Sequence, residues 1–184
     1  MNETPRDTLQ WELIGESGTP GGYRKVGSRT YRYPDGHAGD WDILEGGRTV
    51  AVVALTDDGQ AVMVAQFRPG PGRVLAELPG GDANTGESVE AAAERELLEE
   101  TGYKASSVEV VAETYLASYA THVRYGVLAR GCRRVAAPSP QGAEFLRVET
   151  VPLDAFVDHV LSGAMTDMDM GLAGLIAAGV FTRG

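Results

Sequence analysis

Apolar and polar positions follow two periods along this chain, and each period predicts a different element. Residues 23–33 alternate enough to form a strand. Pro34-Asp35-Gly36 turns it, and residues 40–44 are its return. Residues 49–56 and 61–68 are apolar strands on either side of Asp57-Asp58-Gly59, a hairpin signal. A Gly/Pro-rich loop over residues 68–81 then leads into a helix at about 88–101. Residues 108–117, 122–132 and 145–151 read as further strands. Residues 153–161 and 166–178 read as helices stopped near Gly163 and Gly179, the second capped by Thr166 or Asp167. Residues 1–20 read as a partly ordered lead-in. Strands with helices packed on both sides predict an α/β or α+β sandwich.

The helix at 88–101 carries the chemistry. Ser88 is placed to cap it, since its hydroxyl can accept a free N–H of the first turn. Ala91, Ala92, Ala93, Leu97 and Leu98 favour helix, and Gly102 can end it in the left-handed region. Residues three and four apart share a face, so Glu96, Glu99 and Glu100 fall within an arc of roughly 100°. Leu98 and Ala91 then lie on the far side, facing a core. Like charges at this spacing oppose the helix by about 0.2–0.5 kcal/mol per pair. Solubility is one reason to keep them, and a cation is another. Hard oxygen donors in this number suit Mg²⁺ or Mn²⁺. The segment has no His or Cys, which argues against zinc there.

The bulk numbers narrow the picture. At 184 residues the chain predicts one domain with a small extension, and 43% hydrophobic composition supports a real core. The net charge of −10 argues against a basic nucleic-acid surface and against an anionic membrane. Cys132 is the sole cysteine, so no internal disulfide can form. Packing in a strand is its expected role. One unpaired thiol fits a reducing compartment, the cytoplasm. The N-terminus lacks an apolar signal core, and the apolar stretch at 171–181 is too short and Gly-rich to span a bilayer.

Spacing then becomes informative. From Gly81 to Tyr103 the chain reads G-x5-E-x7-R-E-L-x-E-E-x-G-Y, through Gly81, Glu87, Arg95, Glu96, Leu97, Glu99, Glu100 and Gly102. Charged or Gly residues, each at roughly 5–7% of average usage, would rarely fall on all these positions by chance. The segment resembles the Nudix box, with Tyr103 in place of an aliphatic residue at the last slot. That family cleaves nucleoside diphosphates linked to some other moiety, using Mg²⁺ or Mn²⁺. The resemblance implies a Nudix-type α/β/α sandwich with a mixed sheet over roughly residues 45–180. It also implies an N-terminal antiparallel strand extension over 1–45, ahead of a hydrolase domain at 46–184.

The same resemblance implies residue roles. Glu96 and Glu100 would be the main metal ligands, Glu99 a third or bridging one, and the Gly80 carbonyl a backbone ligand. Arg95 would hold the carboxylates by ion pairing, and Glu87 would brace the loop. Gly81 would let the backbone turn. Metal-assisted hydrolysis of a pyrophosphate bond is the implied reaction. Glu144 matches the general base supplied by a later loop, with a solvated strand-start Glu as the plainer account. His122 is the rival base, although a lone His is usually structural.

Looser similarity points to the branch of ADP-ribose pyrophosphatases and nucleotide-sugar hydrolases. It rests on the N-terminal strands, Gln66-Phe67-Arg68, Glu77-Leu78-Pro79-Gly80-Gly81 and the C-terminal helices. In that branch the N-terminal strands exchange across a homodimer and aromatics there hold the nucleobase. Tyr31, Tyr33 and Trp41 are the candidates, and sheet packing explains each of them as well. Arg68 is the candidate for diphosphate or ribose, because a guanidinium suits bidentate phosphate contacts.

One departure keeps alternatives open. The loop at 116–122 carries Tyr119 and no Pro, which is more like the dinucleoside polyphosphate hydrolases. A nucleoside triphosphate pyrophosphohydrolase is another alternative. A non-catalytic nucleotide-sensing module is an alternative of a different class. Against it, every box glutamate is present and no helix-turn-helix or basic segment is found.

Overall fold

The computed structural model describes residues 24–140 and 145–181. The strands are β1 (Lys25–Arg32), β2 (Ala38–Glu45), β3 (Arg48–Leu55), β4 (Gln60–Arg68), β5 (Arg73–Glu77) and β6 (Gly80–Asp82). They continue with β7 (Tyr103–Lys104), β8 (Ser107–Tyr115), β9 (Val123–Arg130), β10 (Arg133–Arg134) and β11 (Leu146–Pro152). The helices are α1 (Val89–Thr101), α2 (Leu153–Ser162) and α3 (Met168–Ala177).

The main sheet has seven strands in the order β11-β4-β3-β9-β8, with β5 on β4 and β6 on β3. It is mixed: β3 and β9 run parallel, and the other pairs are antiparallel. Central strand β3 is buried from Val50 to Ala54, as a strand covered on both faces should be. Alternate residues serve different cores. Val50, Val52 and Ala54 pack with Ala92, Ala93 and Leu97 of α1. Ala51 and Val53 pack with Phe156 and Val160 of α2 and Met170 and Leu175 of α3. One helix on one face and two on the other make the α/β/α sandwich.

The β3–β4 hairpin is paired only beside its turn, at Ala54↔Val62 and Leu55↔Ala61. Farther from the turn the strands part. There β3 takes β6 and β9 as neighbours, and β4 takes β5 and β11. A cleft opens where they diverge.

Several expectations change. Residues 68–81 are not a plain loop, since β5 and β6 form within them on the free edges of β4 and β3. Strands of five and three residues, set within a Gly/Pro-rich stretch, have no period long enough to see in sequence. Ala91 and Leu98 do not face the core, and Leu98 is 38% exposed. The buried face of α1 is Ala92, Ala93, Leu97, Glu100 and Thr101. The small alanines let the helix lie close on the sheet and draw the carboxylate side inward with them. Cys132 is buried as expected, but between β9 and β10 rather than in a strand. Among the described residues no helix is long and apolar enough to cross a membrane.

Candidate active site

Two elements set the site, β6 and α1. The Ser88 hydroxyl accepts the Ala91 N–H, and Gly102 ends α1 at φ 74°. These caps hold α1 in register against β6. The buried Glu100 carboxylate, 3% exposed, accepts the Gly80 N–H at 2.8 Å through Oε2. Glu96 lies against the next residue. A Cβ added to Gly81 would come within 2.7 Å of its carboxylate carbon. A Cβ at Gly80 would meet the Val50 carbonyl oxygen at 2.1 Å, a backbone atom that cannot step aside. The pair Gly80-Gly81 is therefore a bare backbone ridge with a carboxylate beside each residue.

Arg95 ties the rest together. Its Nε and Nη2 bind the two Glu87 oxygens at 3.0 Å each, a bidentate pair. Its Nη1 reaches Glu96 at 2.7 Å and Glu99 at 3.5 Å, and Nη2 also donates to the Asp82 carbonyl at 2.9 Å. Glu87 in turn accepts the Asn84 N–H at 2.9 Å, closing the turn before α1. Arg48 donates to the Asn84 and Glu87 carbonyls from the β3 side. The Arg95 hydrogen bonds, aided by the Asn84 N–H, hold the Glu87 carboxyl at a pKa of about 2. It stays ionised through the physiological range.

Glu96, Glu99, Glu100 and the Gly80 carbonyl offer hard oxygen donors and no soft ones, which fits Mg²⁺ or Mn²⁺. Among the described residues no three carboxylate, imidazole or thiol groups are already gathered as a metal cluster. Glu96 is turned to Arg95 and Glu100 to the Gly80 N–H, which separates like charges.

A cleft of about 190 Å³ lies over this ridge, lined by Gly80, Gly81, Ala51, Leu78, Arg68 and Asp167 among others. Arg68 stands at the end of β4, with Nε on the Glu77 Oε1 at 3.3 Å. Glu77 is fully buried, and its Oε2 accepts the Thr166 N–H at 2.9 Å and hydroxyl at 3.1 Å. Thr166 is thus held by Glu77 rather than acting as a helix cap. Asp167 precedes α3 but makes no capping hydrogen bond. It pairs instead with Arg124 at 2.6 Å, which also grips Asp169 at 2.9 Å. In the sequence Glu77 figures only within the Glu77–Gly81 run and Asp167 only as a candidate cap, while Arg124 is not singled out at all. The one available signal for Glu77 was an acid directly after the apolar run Val74–Ala76.

His122 lines the cleft but is buried, with Nε2 2.9 Å from the Thr49 hydroxyl. Burial, helped by the Arg24 charge, lowers its pKa below the ordinary 6.5, so the ring is neutral at pH 7. Tyr31 and Trp41 stand exposed on the β1–β2 hairpin, and Trp41 donates to the Tyr33 hydroxyl. Neither lines the cleft of its own chain. Glu144 lies outside the described residues.

A profile of the NUDIX domain matches residues 46–169. A Bacillus subtilis protein named ADP-ribose pyrophosphatase is 42% identical over 82 residues, 45% of this chain. That match spans 44% of the relative's length. A Mycobacterium tuberculosis protein of the same name is 33% identical over 156 residues, covering 83% of this chain and 75% of the relative. A crystal structure titled as an ADP compounds hydrolase superposes with a TM-score of 0.72, covering 92% of this chain and 94% of that one. At 19% identity it speaks to the fold alone.

Proposed function

The chain belongs to the Nudix family, and from that premise we propose that it hydrolyses the pyrophosphate bond of a nucleoside diphosphate linked to another moiety. ADP-ribose, or a related nucleotide sugar, is the proposed substrate. The observation that carries this is the placement of Glu96 and Glu100 beside the bare Gly80-Gly81 ridge on the floor of a cleft. Relatives named ADP-ribose pyrophosphatase support the substrate class.

In this reading Glu96, Glu100, Glu99 and the Gly80 carbonyl hold Mg²⁺ or Mn²⁺. The ion supplies charge neutralisation at the phosphates and acidifies water. Arg68 grips the diphosphate from the cleft wall. Arg95 and Glu87 keep the carboxylates aimed without touching substrate. Water adds to one phosphorus, the bridging P–O bond breaks, and the two phosphate products leave. Glu144 is the proposed general base. Neutral, buried His122, engaged with Thr49, is better suited to hold the wall. The domain boundary is proposed at residues 45 and 46. The β1–β2 hairpin, with Tyr31 and Trp41, is proposed to meet a second copy of the chain in a homodimer.

The test is a substrate panel with Mg²⁺ and Mn²⁺, with products identified by mass. AMP plus a sugar phosphate from ADP-ribose supports the reading. Pyrophosphate from a triphosphate, or faster turnover of a dinucleoside polyphosphate, replaces it. Stoichiometric binding without turnover would make the chain a sensor.

A further inference from the structure

Glu77 lies outside the Gly81–Tyr103 segment, is fully buried, and has no part in the chemistry above. A buried carboxylate is costly unless donors surround it, and an apolar residue would fill the same space more easily. Its donors come from opposite walls of the cleft. Oε1 takes Arg68 Nε from the end of β4, and Oε2 takes the Thr166 N–H and hydroxyl from the turn before α3. One carboxylate thus spans the two walls.

The consequence falls on Arg68. Its Nε edge is spent on Glu77, whereas Nη1 and Nη2 make no protein hydrogen bond among the described residues. Those two nitrogens form the edge that matches two phosphate oxygens at once. An arginine already held in place loses less freedom when a ligand arrives. We infer that Glu77 is a positioning residue that presents the free edge of Arg68 to the phosphates of the substrate. This rests on the proposed function for the identity of the ligand.

Glu77→Gln separates the two duties of the carboxylate. The amide oxygen still accepts from Thr166, while the amide nitrogen faces Arg68 Nε donor to donor. KM for ADP-ribose should rise roughly tenfold to a hundredfold, the range of one hydrogen bond to a charged group, with kcat changed much less. Arg68→Ala should do the same, and the double variant should be no worse than Arg68→Ala, because one residue acts through the other. Affinity for inorganic pyrophosphate with Mg²⁺, read by calorimetry, should fall in step and needs no turnover. Should Glu77→Gln fold poorly, Glu77→Asp keeps the charge but cannot reach both walls, and the same rise in KM is expected. Unchanged KM and pyrophosphate affinity in a folded variant overturn the inference. So do additive effects in the double variant, or an Arg68→Ala protein that binds as wild type. A wild-type protein that cleaves no nucleotide sugar overturns the proposed function instead, and the pyrophosphate affinities still decide Glu77.

Discussion

The α1–β6 corner and the β1–β2 hairpin are built on opposite principles. At the corner, charged residues are packed inward: Glu100 is 3% exposed, Arg95 has four partners, and Leu97 is fully buried beneath them. The hairpin has eight paired residues per strand, yet is exposed along nearly its whole length, with Trp41 54% and Tyr31 46% exposed. Its hold on the body includes the 117–121 loop, through Leu44 N–H to Tyr119 at 2.8 Å and Thr121 N–H to Leu44 at 3.0 Å. A two-stranded ribbon is marginal by itself in water. The corner is therefore stabilised by this chain's own core, and the hairpin invites stabilisation from elsewhere.

Four experiments would break or sharpen that contrast. Glu100→Gln should cause the largest loss of activity. The Gln oxygen still accepts the Gly80 N–H, so melting should be unchanged while kcat falls by up to about a hundredfold. A wild-type rate with Mg²⁺ would remove Glu100 from the site. Leu97→Ala should cost about 2–5 kcal/mol of stability in a denaturant titration, as a buried leucine at a tight helix–sheet contact does. A loss below that range would mean the corner is not held by its core.

The acid response of Glu87 comes next. Its carboxyl lies at about 2 in the fold against an ordinary 4.5. A lowered folded pKa gives stability that is present above 4.5 and lost as pH falls from 4.5 toward 2. Glu87→Gln should melt earlier than wild type at pH 7, and the gap should close by pH 2. A gap independent of pH would show that the Glu87–Arg95 pair is not its source. Smallest is Trp41→Ala. At an exposed site the chain's own stability should change by less than about 0.5 kcal/mol, while light scattering should show a shift from dimer to monomer. An unchanged oligomeric state would leave the hairpin without its proposed partner.

Legibility in the sequence divided along similar lines. The helix from Ser88 to Gly102 could be read with both caps, because capping and period 3.6 are local. The hairpin turns at Pro34-Asp35-Gly36 and Asp57-Asp58-Gly59 were local too. Strands β5 and β6 were missed, since they exist by pairing with edges that β3 and β4 expose only after parting. The inward face of α1 was misassigned because helix periodicity says which residues share a face, not which face a sheet will cover. Arg68 was picked for its chemistry, but its orientation depends on Glu77 and so on β5, which the sequence did not reveal.

The sequence by itself determined the family, because a fixed spacing of Gly, Glu and Arg encodes a loop and a helix face without reference to anything distant. Tertiary structure alone decided how the cleft is walled. Arg68, Glu77 and Thr166 are 9 and 89 residues apart along the chain. They meet only because β4, β5 and the turn before α3 converge where the β3–β4 hairpin opens.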